Sequence, residues 1–301
     1  MKSLKLGLLR ISIVNKLIMK LIVDSGSTKA DWVAIDENGA IIFETESLGL
    51  NPEVLTKEDV LQRINACSAI AENKANATEI YFYGAGCGTD RMKNHLSTIL
   101  HEYFPNAVIN VKEDTYAAVY ATTPKGEKSI VCILGTGSNC SYFDGEELHQ
   151  KVQSLGYLAM DDCSGNQIGR HLLRAYYFGK MPQELASVFE KEYDLDADVI
   201  KHNLYKVANP NAYLASFAKF LIEHREHSFM KEIVRKEFTT FVDNYFSHFE
   251  NGQNLPVHFI GSIAYFLKGD LENILNERGY KFGNVFKKPM DGLIAYHALV
   301  S

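Results

Sequence analysis

One pattern occurs twice in this chain, and it limits the possible folds more than any other feature. An apolar run, 19–23, enters Asp24-Ser25-Gly26-Ser27-Thr28-Lys29. A second apolar run follows at 31–36, and Glu37-Asn38-Gly39 then supplies a tight turn before a further strand at 40–46. The same order returns near the middle. Residues 129–134 form an apolar run that enters Gly135-Thr136-Gly137-Ser138, continues as 139–143 and ends at Asp144-Gly145. Short apolar runs bounded by Gly, Ser and Asp are buried strands meeting turns. A strand, a Gly/Ser/Thr turn, a strand and an Asp–Gly turn, used twice, predict two similar α/β lobes.

Between the two copies, residues 57–74 have helical periodicity with Thr56 as N-cap. Residues 79–83 read as a strand running into Gly84-Ala85-Gly86, 90–103 as a helix and 107–111 as a strand. Residues 114–121 read as a short helix with small residues on one side. The second half is mostly helical, with amphipathic spacing over 166–178, 213–226 and 229–249. A late strand, 257–260, meets Gly261-Ser262, and Pro289 starts a final helix, 290–300.

Both Gly-containing turns suit an anion. Successive backbone N–H groups and hydroxyls face outward, and Gly26, Gly135 and Gly137 lack the Cβ that would block close approach. Lys29 adds positive charge, and Asp24 is placed to hold Mg²⁺ through water. Neither turn is a G-x-x-x-x-G-K-[ST] loop, and both lead into strands rather than helices, which excludes a Rossmann fingerprint. A polar hairpin explains each turn alone. Two of them facing each other could grip a polyphosphate.

Net charge is −6, which gives no footprint for nucleic acid or anionic lipid. Five cysteines, Cys67, Cys87, Cys132, Cys140 and Cys163, show no C-x-x-C pair. They read as reduced thiols of a cytoplasmic protein. Residues 1–18 mix Lys and Arg with broken apolar runs. They are expected to be a non-essential extension ahead of a natural start at Met19, a first structural element or a targeting segment being the other readings.

On these motifs the chain resembles the sugar kinase, actin and large-chaperone ATPase superfamily. Within it, the chain is similar to the group that holds the N-acetylglucosamine kinases and the activators of benzoyl-CoA reductase and 2-hydroxyacyl-CoA dehydratase. Residues 24–36 match the first phosphate motif, 133–145 the second and Phe259-Ile260-Gly261-Ser262 the adenosine motif. Residues 114–121 and 291–299 match the two connecting helices. The resemblance implies two ribonuclease H-like, actin-like lobes around a central cleft, 19–116 and 117–288, the second enlarged by helices. The last helix, 289–301, could join the first lobe. It also implies ATP and Mg²⁺ as cofactors. Ser27, Thr28, Lys29, Gly135, Thr136, Gly137, Ser138, Gly261 and Ser262 would lie at the nucleotide and Asp24 at the metal. Asp114 would be the base that takes a proton from a sugar hydroxyl.

Gly49-Leu50-Asn51-Pro52 resembles the sugar-binding loop of the N-acetylglucosamine kinases. The segment 155–165 resembles their Gly-Asp-Glu-Gly-Ser stretch, with Met160, Asp162 and Cys163 departing from it. Asn51, Asp114, Gly137 and Asp161 are therefore the expected sugar contacts. The implied activity is phosphorylation of an amino sugar, best N-acetylglucosamine to its 6-phosphate, by a possible homodimer. N-acetylmuramate, glucosamine or another hexose is the nearest alternative. An iron–sulfur activating ATPase is the alternative from another class, with Cys163 as its one loop cysteine.

Overall fold

The computed structural model describes residues 18–26 and 29–298. Ser27 and Thr28 lie outside the described residues, as does the expected extension apart from Ile18.

The first apolar run becomes β1 (Lys20–Ser25). It is a central strand flanked by β2 (Lys29–Ile35) and β4 (Glu79–Gly84), which explains its apolar character on both faces. With β3 (Ile41–Leu48) and β5 (Val108–Glu113) the order is β3-β2-β1-β4-β5. β1 and β2 pair antiparallel, whereas β4 and β5 run parallel to β1. The second sheet contains β6 (Ser129–Leu134), β7 (Ser138–Phe143), β8 (Leu148–His149), β9 (Pro256–Ile260) and β10 (Lys281–Phe286). Its order, β10-β9-β6-β7-β8, is the same design read from the other end, a meander extended by two parallel strands. The repeat seen in the hairpins thus extends to whole sheets.

The first lobe carries α1 (Lys57–Asn65), α2 (Ser68–Asn73) and α3 (Asp90–Tyr103), with α4 (Asp114–Thr122) leading out of it. The second carries α5 (Gly165–Tyr177), α6 (Gln183–Glu192), α7 (Ala197–Tyr205), α8 (Pro210–Ser216), α9 (Ala218–Glu223), α10 (Ser228–Phe246), α11 (Ser262–Phe266) and α12 (Lys268–Glu277). The chain then returns through α13 (Met290–Ala298), which packs on α4, β1 and β2.

Three cores result. Trp32, Phe82 and Phe104 anchor the first, and Phe217, Phe238 and Phe259 the second. The third lies between the sheets. Ile22, Val33 and Tyr83 from one sheet and Val131, Phe143 and Ile260 from the other close on the alanines of α4 and on Met290 and Leu293 of α13. At the crossing of these helices, a Cβ on Gly292 would lie 2.1 Å from the carbonyl oxygen of Ala121, so only glycine allows the approach.

Some predicted elements differ. The stretch 57–74 is two helices. Thr56 caps the first with a capping box to Asp59, but Cys67 turns extended and breaks it. The stretch 213–226 likewise splits into α8 and α9. Among the described residues no helix is long and apolar enough to cross a membrane.

Candidate active site

Strand register aligns the first half of the site. Ser25 pairs with Gly84, and Gly84 with Glu113, so Asp24, the turn after β4 and Asp114 stand along one edge of the sheet. In open α/β sheets, the carboxyl ends of parallel strands are where ligands bind. Burial pushes the Asp24 carboxyl up to about 7. The negative charges of Asp114 and Asp31 push the same way, and Lys288 opposes them. Asp114, first residue of α4, is also raised, by burial and then by Glu113, while backbone N–H groups at the helix start hold it down. The neighbouring Thr115 hydroxyl is buried without a partner.

The Asn51 loop is tied to the same edge. The Leu50 amide donates to Ser25 Oγ at 2.9 Å, and Arg63 donates to the Gly49 carbonyl at 2.5 Å. Asn51 lies so close to the turn after β4 that a Cβ on Gly86 would sit 2.0 Å from its Oδ1. Lys29 is engaged by two carboxylates. Its ammonium lies 2.9 Å from Asp31 and 2.5 Å from Glu46, in ion pairs on the sheet surface.

The second half forms at the matching edge of the other sheet. The Gly135 amide donates to the Gly137 carbonyl, closing the turn at 3.0 Å. The start of α5 docks on it. Gly165 N donates to Gly135 O at 2.8 Å, and Asn166 donates to Thr136 O through its backbone at 3.1 Å and its side chain at 2.7 Å. Gly261 presses against the turn as well. At φ 120 a Cβ there would lie 2.2 Å from the Leu134 carbonyl oxygen. Ser262 then opens α11. Beside these turns is a cavity of about 660 Å³, whose walls include Thr136, Gly165, Ala215, Ser262, Ile263 and Phe266. The Ser138 hydroxyl is buried against the Tyr245 phenol.

Asp161 joins this half. It is buried, accepts from Asn166 Nδ2 at 3.0 Å, and its Oδ2 would lie 2.7 Å from a Cβ on Gly137. Asp162 turns away, accepting from Asn244 Nδ2 at 2.7 Å. Cys163 is not a loop thiol open to a cluster. It is fully buried, and burial holds its thiol well above the ordinary range. Cys132 and Cys140 face each other across β6 and β7 with sulfurs 3.1 Å apart, inside the core. Among the described residues no three His, Cys, Asp or Glu side chains cluster to hold a metal.

The structure therefore brings together Asp24, Asp114 and Asn51 on one edge, and Gly135, Thr136, Gly137, Ser138, Asp161, Gly261 and Ser262 on the other. Sequence reasoning missed Lys288, whose Nζ lies 3.7 Å from Asp31, and Asn166. A weak signal for the lysine existed: Lys287-Lys288 follows β10, a strand that the sequence reading left unassigned.

Two lobes of one design, each offering a glycine turn at the carboxyl edge of its sheet and joined by two crossing helices, define the actin-like ATPase class. Solved structures agree. A proposed N-acetylglucosamine kinase from Porphyromonas gingivalis is 34% identical, with a TM-score of 0.84 over 93% of this chain and 99% of that one. Another from Chromobacterium violaceum is 16% identical with a TM-score of 0.67 over 93% and 99%. A ROK-family glucokinase from Streptomyces griseus, solved with glucose and AMPPNP, shares the fold at 14% identity and a TM-score of 0.53, over 93% and 97%. No protein-family profile matches the sequence. The chain belongs to the N-acetylglucosamine kinase-like family of ATP-dependent sugar kinases.

Proposed function

We propose that the protein transfers the γ-phosphoryl group of ATP to a hydroxyl of an amino sugar, N-acetylglucosamine, at its 6-position. The observation that carries this reading is Asp114. It stands at the first turn of α4, beside Asp24, at the carboxyl edge of the first sheet.

Phosphoryl transfer demands positioning and charge neutralisation more than covalent help. The turn 135–138 offers backbone amides and hydroxyls to the phosphates, Gly261 packs against that turn, and Ser262 borders the cavity suited to adenosine. Asp24, crowded by Asp114 and Asp31, is a carboxylate that a divalent cation would relieve. Mg²⁺ there, reached mainly through water, would offset phosphate charge. In this reading Asn51, Gly137 and Asp161 orient the sugar, which the closeness of Asn51 to Gly86 and of Asp161 to Gly137 supports. The Asp114 carboxylate takes the proton of the attacking hydroxyl as its oxygen bonds to the γ-phosphorus, and the bond to ADP breaks. A carboxylate raised above its ordinary range is a better base near neutral pH.

The test is a sugar panel in an ATP-coupled assay, run on the native protein and on Asp114→Asn. The substitution keeps shape and removes basicity. Turnover should fall about 10²-fold or more, with KM for ATP and sugar little changed. N-acetylmuramate, glucosamine or another hexose as the preferred substrate would revise the sugar. Native turnover in Asp114→Asn would move the base to Asp161.

A further inference from the structure

The turn that carries Asp161 is under backbone constraint. Within three positions, Asp161 at φ 67 and Cys163 at φ 64 both occupy the left-handed region that disfavours a residue with a Cβ. The segments this one resembles place glycine at the second of these positions, where no restraint is needed. With cysteine there, something else has to hold the conformation.

That restraint comes from a helix more than seventy residues away. The Cys163 amide donates to Glu237 Oε2 at 3.0 Å, in the middle of α10. Glu237 is 4% exposed, and a carboxylate so buried requires partners. The Cys163 amide is one, and His171 of α5 lies against the other oxygen, with Nε2 2.7 Å from Glu237 Oε1 but outside hydrogen-bond geometry. Two turns further along α10, Asn244 holds Asp162. The turn is thus clamped at two successive residues by one helix, while Asp161 leaves it to lie against Gly137 and Asn166.

We infer that Glu237 is a positioning residue of the sugar site. Its carboxylate pins the Cys163 amide, keeps the turn left-handed and so fixes Asp161 against Gly137. This rests on the reading that Asp161 receives a hydroxyl of the sugar. Glu237 itself touches neither substrate, and its loss acts through the turn.

The experiment compares KM for sugar and for ATP, kcat and melting temperature in four proteins: native, Glu237→Ala, Glu237→Gln and the double variant Glu237→Ala with Cys163→Gly. Loss of a hydrogen bond to a charged acceptor should raise the sugar KM about tenfold in Glu237→Ala, with the ATP KM within about twofold of native. Glu237→Gln keeps an oxygen for the Cys163 amide and should stay near native. Adding Cys163→Gly should recover much of the sugar KM, because glycine takes the left-handed conformation unaided. An unchanged sugar KM in folded Glu237→Ala overturns the inference. So does a uniform loss, in which both KM values and kcat worsen together and Cys163→Gly restores nothing. Should Glu237→Ala fail to fold, Glu237→Asp replaces it, withdrawing the carboxylate by one methylene, and an unchanged sugar KM there is equally fatal. A native protein active on no sugar would defeat the functional reading instead, a distinct outcome.

Discussion

The most informative single residue is Asp24, because its chemistry would tie stability to the proposed cation site. An ordinary aspartate in an unfolded chain titrates near 3.8, whereas burial and Asp114 lift this one to about 7 in the fold. The folded state therefore holds a proton that the unfolded state gives up. Stability from this group is complete below the lower value and is lost as pH rises through the upper one, by up to about 4 kcal/mol. The unliganded protein should melt lower at pH 8 than at pH 5.5, and Asp24→Asn should flatten that dependence. Thermal scans of both proteins check it. A divalent cation held there, as proposed, would displace the same proton, so the melting-point rise on adding Mg²⁺ and ATP should be larger at pH 8 than at pH 6 in the native protein. At this scale the sequence was legible where chemistry shows in a local motif, as at Asp24, Asp114, Gly137 and Gly261. It was silent on Glu237, Asn166 and Lys288. Their contacts run between distant elements, and an isolated Glu or Lys in a helical or charged stretch looks like any solvated one.

Element boundaries were legible wherever a capping residue or glycine punctuates the chain, as at Thr56, Gly39 and Pro289. They were obscured where apolar periodicity continues across a break. Cys67 interrupts α1 and α2 without any glycine or proline to announce it, and Phe217 bridges α8 and α9 while staying buried. The crossing of α4 and α13 could not be foreseen from either helix. Each reads as a short run of small and apolar residues, and only the packed structure shows backbone meeting backbone at Ala121 and Gly292. Gly292→Ala should force the helices apart and cost about 1–3 kcal/mol, a drop of several degrees in Tm. Calorimetry measures the drop. Because the same helices join the lobes, kcat should fall in this variant more than either KM rises.

For the molecule as a whole, the hairpin repeat was enough to foresee two lobes, since matching turns imply matching sheets, and the order of strands bears this out. The second lobe's helical bulk was foreseen in part, and α6, α7 and α12 were not read from the sequence. Two lobes that meet around a core of crossing helices are expected to hinge about it. Small-angle scattering should show a radius of gyration near 19 Å for a chain of this length, falling when a non-hydrolysable ATP analogue and the sugar are both added. No change on adding both would count against closure. The return of α13 has a further consequence, one of timing. The first sheet is synthesised well before the helix that covers Ile22 and Val33, and the buried Lys20 ammonium finds the His297 carbonyl only once that helix is made. At ordinary elongation rates, the wait is on the order of ten to thirty seconds. During that interval an apolar sheet face and a lysine meant for the interior stand in water on the ribosome. The first lobe is therefore closed only after the second has been synthesised, by a helix that returns to it across the whole of that lobe.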